Sequence, residues 1–317
     1  INFYDGTSLD SDIVYEYDNT DAYSADIAKI GSSSVRIPND DFTATLTYLG
    51  ASSTDILNVG NSGVGSSVFS NLAGQGRLYG AQDGNTITIH SQSYNTGAYA
   101  TDFEGDIYAT AGGTGSTDLT IIKTGTGEQI FSGNIKTLDN DSTESGYLNI
   151  AEGTITLKPG NSISQSFEFL TGAATGGTLK LDNSVNSDQI LELGFANTAE
   201  KKTFSGTLTL SASGTNTINV GGDSNFNAHQ EISGAISNDG AKLVKTGGGK
   251  LTLSADSSSF NVDEGITIGE GDTSTPTKGG VLVANNADAL GSGSVRIEYG
   301  KLSVAGGKTI SNTILGE

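Results

Sequence analysis

The sequence predicts an all-β fold, a parallel β-helix (β-solenoid) that forms a single elongated domain. The 317 residues include 45 glycines but only three prolines. Glycine suits many tight turns, and scarce proline leaves backbone N–H groups available for sheet hydrogen bonds. Short stretches alternate apolar and polar residues, as strands with one buried face do. Gly280–Ala284 is repeated by Gly300–Val304, and units this small bury an apolar face only by stacking.

Residues 1–45 are the least repetitive part of the chain, and we predict that they form an N-terminal cap or irregular first coils. Val35–Ile37 and Phe42–Leu46 have the composition of strands. Solenoids need atypical ends, because exposed strand edges otherwise pair with other chains. Residues 46–317 are then predicted to form the parallel β-helix repeats.

The middle of the chain repeats the same pattern. Ile56–Gly60 resembles Thr217–Gly221, and Leu119–Gly127 resembles Lys242–Gly249. These similarities indicate one repeated unit throughout, without a separate catalytic domain. Repeats of this kind predict about twenty to twenty-five residues per coil.

The last third of the chain shows the alternation most clearly. We expect Leu282 and Ala284 to point inward, and Leu302 and Val304 to occupy the same places one repeat later. On this register Leu302→Asp disrupts nearby coils, whereas Arg296→Asp is nearly silent. Other pairs with the same spacing are Leu251 and Leu253, Ile266 and Ile268, and Val295 and Ile297.

This segment is similar to the autotransporter-associated β-strand repeat. The residues that carry the similarity are Leu243, Lys245, Gly247, Gly249, Leu251, Leu253 and Ser254, followed by Gly280, Leu282, Asn285, Ala289, Leu290, Gly291, Gly293 and Val295. The aromatic-Thr-Gly run usual in the family is replaced by Ser259–Val262. The resemblance implies the passenger domain of a Gram-negative surface protein, with right-handed coils, which is exported through a C-terminal membrane barrel. Such passengers are often adhesins.

Composition excludes several classes of protein. The chain has no cysteine, which excludes a disulfide scaffold and cysteine chemistry. Its formal charge of −20 repels nucleic acid and anionic lipid. No apolar run approaches the ~20 residues of a membrane-spanning helix, so we expect any membrane attachment to come only from a C-terminal barrel outside this sequence. We interpret the charge as a means of solubility and the chain as part of a longer protein.

No catalytic, cofactor-binding or metal-binding residues are predicted, and no cofactor is expected. His90 and His229 are the only histidines. Gly222–Asn225 resembles a serine-protease nucleophile loop without its final glycine, and we interpret it as a turn. Gly112–Leu119 resembles a calcium nonapeptide whose aspartate comes one residue late, and a single copy is better interpreted as a glycine loop.

A polysaccharide lyase or hydrolase on the same scaffold is the alternative function. Such enzymes use clustered carboxylates with basic partners. We interpret Lys201–Lys202 as an exposed turn, so no basic constellation accompanies the carboxylates. The candidate carboxylates are Asp102, Glu104, Asp106, Asp182, Asp188 and Glu192.

Tyrosines are concentrated in the first third of the chain. Two interpretations are open: the rings stack in the interior, or they form an outer binding face for glycans or proteins. The residues proposed for this binding surface are Tyr15, Tyr17, Tyr23, Tyr94 and Tyr99.

Together these observations predict a non-enzymatic passenger, either displayed at the bacterial cell surface (anchored in the outer membrane) or released outside the cell. It would act as an adhesin, or as an aggregation and biofilm factor with a role in virulence. Its partners would be a host surface protein, a glycan or another copy of itself, and not nucleic acid.

Overall fold

The computed structural model describes part of the chain, and side chains are described from residue 68 onward, apart from 188–189, 238–239 and 260–261. The described residues are 2–3, 13–14, 27–29, 34–37, 42–44, 47–49, 56–59, 66–69, 72–80, 84–91, 102–109, 118–137, 146–158, 165–173, 176–184, 188–194, 201–211, 214–222, 226–239, 242–256, 260–261, 265–270 and 279–316.

Over these residues every regular element is a short β-strand. The described part of the chain has no helix long and apolar enough to cross a membrane. The strands are β1 (Asn2–Phe3), β2 (Ile13–Val14), β3 (Ile27–Lys29), β4 (Ser34–Ile37), β5 (Phe42–Ala44), β6 (Thr47–Leu49), β7 (Ile56–Val59), β8 (Ser66–Phe69), β9 (Leu72–Gly74), β10 (Arg77–Gly80), β11 (Asn85–His90), β12 (Asp102–Phe103), β13 (Asp106–Tyr108), β14 (Leu119–Thr124), β15 (Glu128–Phe131), β16 (Ile135–Lys136), β17 (Leu148–Ile150), β18 (Gly153–Leu157), β19 (Gln165–Phe167), β20 (Leu170–Gly172), β21 (Gly177–Leu181), β22 (Asp188–Leu193), β23 (Lys201–Phe204), β24 (Thr207–Thr209), β25 (Thr215–Val220), β26 (His229–Ile232), β27 (Ile236–Asp239), β28 (Lys242–Thr246), β29 (Lys250–Leu253), β30 (Phe260–Asn261), β31 (Ile266–Ile268), β32 (Gly280–Ala284), β33 (Val295–Ile297), β34 (Gly300–Val304) and β35 (Ile314–Gly316).

The chain forms two compact units, Ile1–Thr156 and Leu157–Glu317, with the boundary inside β18. In unit 1 the three sheets have the strand orders β1-β3-β6-β9-β12-β15, β2-β4-β7-β10-β13-β16 and β5-β8-β11-β14-β17. In unit 2 the orders are β21-β24-β27-β30, β19-β22-β25-β28-β31-β33-β35 and β20-β23-β26-β29-β32-β34.

The described strand pairs within each unit are parallel, and each strand pairs with the strand that follows it by one coil. Arg77 pairs with Asp106 in unit 1, for example, and Lys201 pairs with His229 in unit 2. Three parallel sheets with strands in sequence order define a parallel β-helix, so the predicted fold class is confirmed. The predicted repeat is also confirmed, because Gly280 pairs with Gly300 and Ala284 pairs with Val304.

Coils are longer than predicted in much of the chain. In unit 1, hydrogen-bonded partners on successive coils are 28 residues apart at Asp106 and Asn134, and 34 residues apart at His90 and Thr124. In unit 2, Thr203 and Glu231 are 28 residues apart. Turns and loops absorb the added residues, whereas the strands stay short. The prediction of about twenty to twenty-five residues per coil is correct for other coils of both units, for example where Ile56 pairs with Ser34 and with Arg77 in unit 1 and where Gly280 pairs with Gly300 in unit 2.

Apolar side chains fill the interior at alternate strand positions. In unit 2, Leu251, Leu253, Ile266 and Ile268 are all buried, as their alternation predicted. Leu282 and Ala284 are buried as well. In unit 1 the rings of Phe103 and Phe131 lie edge to face with centroids 6.5 Å apart on successive coils, a favourable aromatic geometry.

Leu302 and Val304 are less buried than predicted. Leu302 is partly buried, and Val304 is 37% exposed. Both lie on β34, which is the edge strand of its sheet among the described residues, so no described strand covers them from the far side.

Glycines allow close approach of the backbone where strands turn from one sheet to the next. A Cβ on Gly133 would lie 1.8 Å from the carbonyl oxygen of Gly105, and a Cβ on Gly234 would lie 1.9 Å from that of Gly206. The neighbouring atom is backbone and cannot rotate away, so these corners require glycine.

Residues 1–45 contribute strands to the same three sheets of unit 1, since β1 pairs with β3, β2 with β4, and β5 with β8. Their suggested role as a cap stays a prediction.

Candidate functional site: rows of outward side chains

An ordered polar surface lies on the outer face of β23, β26, β29, β32 and β34 in unit 2. Alternation positions its residues: Leu251, Leu253 and Leu282 point inward, so Lys250, Thr252 and their ladder partners point outward. Parallel pairing in register then aligns equivalent outward residues across the strands. We call these five strands the outer face.

The first row of the outer face is basic. Lys201 pairs with His229, His229 pairs with Lys250, and the register continues through Val281 to Lys301. Lys201, Lys250 and Lys301 are exposed, and His229 is partly buried. Three of the 16 lysines and arginines of the chain therefore lie in a single row.

The second row carries hydroxyl groups and one carboxylate. Thr203, Glu231 and Thr252 are ladder partners, and Val283 and Ser303 continue the register. Further hydroxyl and amide groups follow at the strand ends, where Asn285 Nδ2 donates to Ser254 Oγ over 3.2 Å.

Glu231 is the centre of a hydrogen-bond network. Its carboxylate lies 2.6 Å from Lys201 Nζ, and it accepts hydrogen bonds from Thr203 Oγ1 at 3.2 Å and from Ser254 Oγ. Burial alone would raise the pKa of Glu231, but the hydrogen bonds from Lys201 and Ser254 and the lysine charge outweigh it, so the pKa is lowered. Glu231 is therefore an ionised, fully engaged carboxylate, unlike a general acid, which needs a raised pKa.

His229 lies between two lysines of the first row. Its Nε2 atom is 2.8 Å from Thr252 Oγ1, a hydrogen-bond distance. Burial, followed by the charges of Lys250 and Lys201, lowers the pKa of His229, although Glu231 acts in the opposite direction. The imidazole is consequently neutral at neutral pH.

Unit 1 has a smaller aromatic patch on the outer side of β10 and β13. The rings of Tyr79 and Tyr108 stack with centroids 5.7 Å apart, beside an Arg77–Asp106 ion pair at 3.5 Å. Burial, with a contribution from the Asp106 charge, raises the pKa of Tyr108 to about 12. Leu78 and Ile107 point inward, so the two tyrosine rings lie on the opposite side of their strands, although Tyr79 is only 6% exposed.

The five tyrosines predicted to form a binding surface, Tyr15, Tyr17, Tyr23, Tyr94 and Tyr99, lie outside the described residues, as do Asp223, Ser224 and Asn225 of the predicted turn. In the part of the chain that the structure describes, no three histidine or carboxylate side chains are grouped in a way that could hold a metal ion.

The candidate carboxylates of unit 1 are engaged separately. Ser132 Oγ donates to Asp102 over 2.6 Å, Gln75 Nε2 donates to Glu104 over 2.6 Å, and Asn134 Nδ2 donates to Asp106 over 2.9 Å. In unit 2, Asp182 accepts from the Ser184 N–H over 2.9 Å. Glu192 lies on β22, and the side chain of Asp188 is not among those described.

Two predictions about basic residues were wrong or incomplete. Lys201–Lys202 was predicted to be a turn, but both residues belong to β23. The alignment of Lys201 with Lys250 and Lys301 was not predicted, because ladder partners on successive coils are separated by different numbers of residues.

Sequence reasoning also missed two buried lysines. Lys123 and Lys245 are both fully buried and are followed by the same Thr-Gly pair. Lys123 Nζ donates to the carbonyl oxygens of Thr124 and Gly125, each at 2.6 Å, and of Glu152 at 3.3 Å. Lys245 Nζ donates to those of Thr246 (2.5 Å), Gly247 (2.9 Å) and Gly279 (3.0 Å). These ammonium groups stabilise turns and are inaccessible to a ligand.

Searches with the chain found no matching protein-family model, no matching curated protein and no matching solved structure.

Proposed function

We propose that this chain is a non-enzymatic bacterial β-helix, displayed at the cell surface or released outside the cell, that acts as an adhesin or aggregation factor. The observation that carries the proposal is the outer face of unit 2, where hydroxyl and charged side chains form registered rows on five adjacent parallel strands. The similarity of residues 243–295 to the autotransporter-associated β-strand repeat supports the surface location.

The chemistry of the outer face favours binding over catalysis. Glu231 is the one carboxylate in its two rows, and its partners hold it ionised. Glycoside hydrolysis uses two carboxyl groups, one of which donates a proton. The exposed lysines and the partly exposed Thr203 and Ser303 can instead form ion pairs and hydrogen bonds with a glycan, a host protein or a second copy of the chain.

A binding screen on immobilised glycans and matrix proteins tests the proposal, combined with aggregation of cells that display the chain. We expect saturable binding to at least one ligand class, or chain-dependent aggregation. Reducing-end release and formation of unsaturated sugars are measured on every glycan that binds. Turnover would contradict the proposal and favour the polysaccharide-active enzyme, and absence of both binding and aggregation would also contradict it.

A further inference from the structure

The first row of the outer face, which we call the lysine row, consists of Lys201, His229, Lys250, Val281 and Lys301. We propose that the lysine row binds an acidic polysaccharide, a chain of sugars carrying carboxylate or sulfate groups, which lies across the strands. This inference rests on the proposed adhesive function and specifies its ligand class.

Charge complementarity is the first argument. The chain has a formal charge of −20, yet three ammonium groups share one row. Charges separated by more than ~8 Å are largely screened at physiological ionic strength. A ligand close to the lysine row therefore experiences these lysines more strongly than the distant acidic residues.

The three lysines contribute unequally. Lys201 Nζ lies 2.6 Å from a Glu231 carboxylate oxygen, so much of its charge is already compensated. His229 lies between Lys201 and Lys250, and its lowered pKa leaves it neutral at neutral pH. Lys250 and Lys301 are both exposed and provide the principal attraction for an anion.

The spacing of the lysines favours a polysaccharide. Adjacent strands of a sheet are ~4.8 Å apart, so lysines on every second strand are separated by about 10 Å. Lys201 and Lys250 are two strands apart, as are Lys250 and Lys301. An extended glycan with one acidic sugar in each disaccharide carries anions at a comparable interval.

The neighbouring row supplies partners for the uncharged part of such a ligand. Thr203 and Ser303 point outward beside the lysine row and are partly exposed, so their hydroxyl groups can form hydrogen bonds with sugar hydroxyls, whereas Thr252 between them is buried. The outer face spans five adjacent strands, so a long polymer can extend over several of them.

Nucleic acid fits this surface less well. Double-stranded DNA carries one negative charge per ~1.7 Å of its axis, so a protein with this net charge repels it strongly. A glycan with one acid per disaccharide has a much lower charge density and experiences less repulsion.

The test compares two double variants of the full chain with equal changes in charge. Lys250→Gln with Lys301→Gln removes two charges from the lysine row. Lys136→Gln with Lys308→Gln removes two exposed lysines elsewhere. Circular dichroism and urea denaturation establish that both variants fold. Affinity is measured for hyaluronan, whose only acid is one carboxylate in each disaccharide, keratan sulfate, whose acid groups are sulfates, neutral dextran and double-stranded DNA at about 20 and about 150 mM NaCl.

We expect the unaltered chain to bind hyaluronan, keratan sulfate or both, and the row variant to lose about tenfold or more in affinity while the control variant loses less than about twofold. Binding of one acidic polymer alone identifies carboxylate or sulfate as the ligand group. Equal losses in both variants, equally tight binding of DNA, or no binding of either acidic polymer would overturn the inference. Binding only of a neutral glycan or matrix protein would overturn it and leave the proposed adhesive function intact.

Discussion

Lys245 places an ammonium group at an inward position of β28, where burial lowers its pKa to about 7. Three carbonyl oxygens act against this effect, because the charged ammonium donates three hydrogen bonds and a neutral amine only two. Lys123 has the same arrangement in unit 1, and burial lowers its pKa to about 8 while the charge of Glu152 acts to raise it. Both lysines donate to the carbonyl groups of turns and so tie these turns together.

The first prediction concerns the pH dependence of stability. In the unfolded chain Lys245 keeps its proton up to about pH 10.5, but in the folded chain it loses its proton above about pH 7. The unfolded state therefore binds more protons between these values, and stability rises with pH. Lys245→Met cannot titrate and serves as the reference. Between pH 7 and 9 we expect the unfolding free energy of the unaltered chain to increase, relative to that of Lys245→Met, by on the order of 2 kcal/mol.

Urea denaturation at several pH values provides this measurement. Lys308→Met, at an exposed position of the same unit, is the matched control, and its difference from the unaltered chain should stay constant with pH. A constant difference for Lys245→Met as well would show that the carbonyl groups keep the ammonium charged in the folded state throughout this range.

At the scale of the strands, inward glutamines bridge gaps in the ladders. Gln230 on β26 accepts from the Leu170 N–H over 2.9 Å and donates to the Leu170 carbonyl over 3.1 Å, and Leu170 belongs to β20, two coils away. Gln129 makes the equivalent pair of bonds with Leu72, at 3.1 and 2.8 Å, in unit 1. Each glutamine thus supplies the hydrogen bonds that a short intervening strand lacks.

The second prediction follows from this bridge. Gln230→Leu keeps a side chain of similar size but leaves the buried N–H and C=O of Leu170 without their partner. We expect this loss to lower the free energy of unfolding by about 2–4 kcal/mol. Hydrogen exchange should accelerate at β20 more than elsewhere in unit 2. Gln75→Leu removes an amide that bonds to an exposed carboxylate, and its effect should be below about 0.5 kcal/mol. Unchanged exchange at Leu170 in Gln230→Leu would contradict the bridging role.

The third prediction concerns the glycine corners. Gly234→Ala places a Cβ against the Gly206 carbonyl oxygen, which is backbone and cannot be displaced by a rotamer change. We expect a loss of about 2 kcal/mol or more, measured by urea denaturation. The matched control is Gly306→Ala, where a Cβ meets no atom within 4 Å. Similar stabilities for the two variants would show that adjacent coils at this corner can separate at little cost.

At the scale of the whole molecule, stability is expected to come from contacts between neighbouring coils, because each strand pairs mainly with the coils before and after it. Damage to one coil should therefore spread only to its neighbours, and its size should depend on whether a coil lies on both sides of the altered residue.

The fourth prediction applies this reasoning to three substitutions. Leu282 is fully buried between β29 and β34, whereas Leu302 lies on an edge strand of the described sheet. We expect Leu282→Asp to cost about 3–5 kcal/mol, Leu302→Asp roughly half of that, and Arg296→Asp, at an exposed position, less than about 0.5 kcal/mol. Urea denaturation and limited proteolysis give the ranking, and equal effects at the three positions would refute the assignment of inward and outward faces.

The glycine-rich composition and the alternation of Lys250–Ser254 and Gly280–Ala284 were enough to predict parallel coils, their inward residues and the pairing of Gly280 with Gly300. These features depend on residues close together in the sequence, since alternation within a strand sets which side chains enter the core.

Only the tertiary structure decided which outward residues align. Lys201, Lys250 and Lys301 share a row because coils of unequal length bring their strands into register. The same applies to Lys245 and Gln230, whose burial depends on carbonyl groups supplied by other coils or strands. Alternation determines the face on which a residue lies, but its neighbours on that face depend on how many residues each turn takes up, and local sequence does not encode that number.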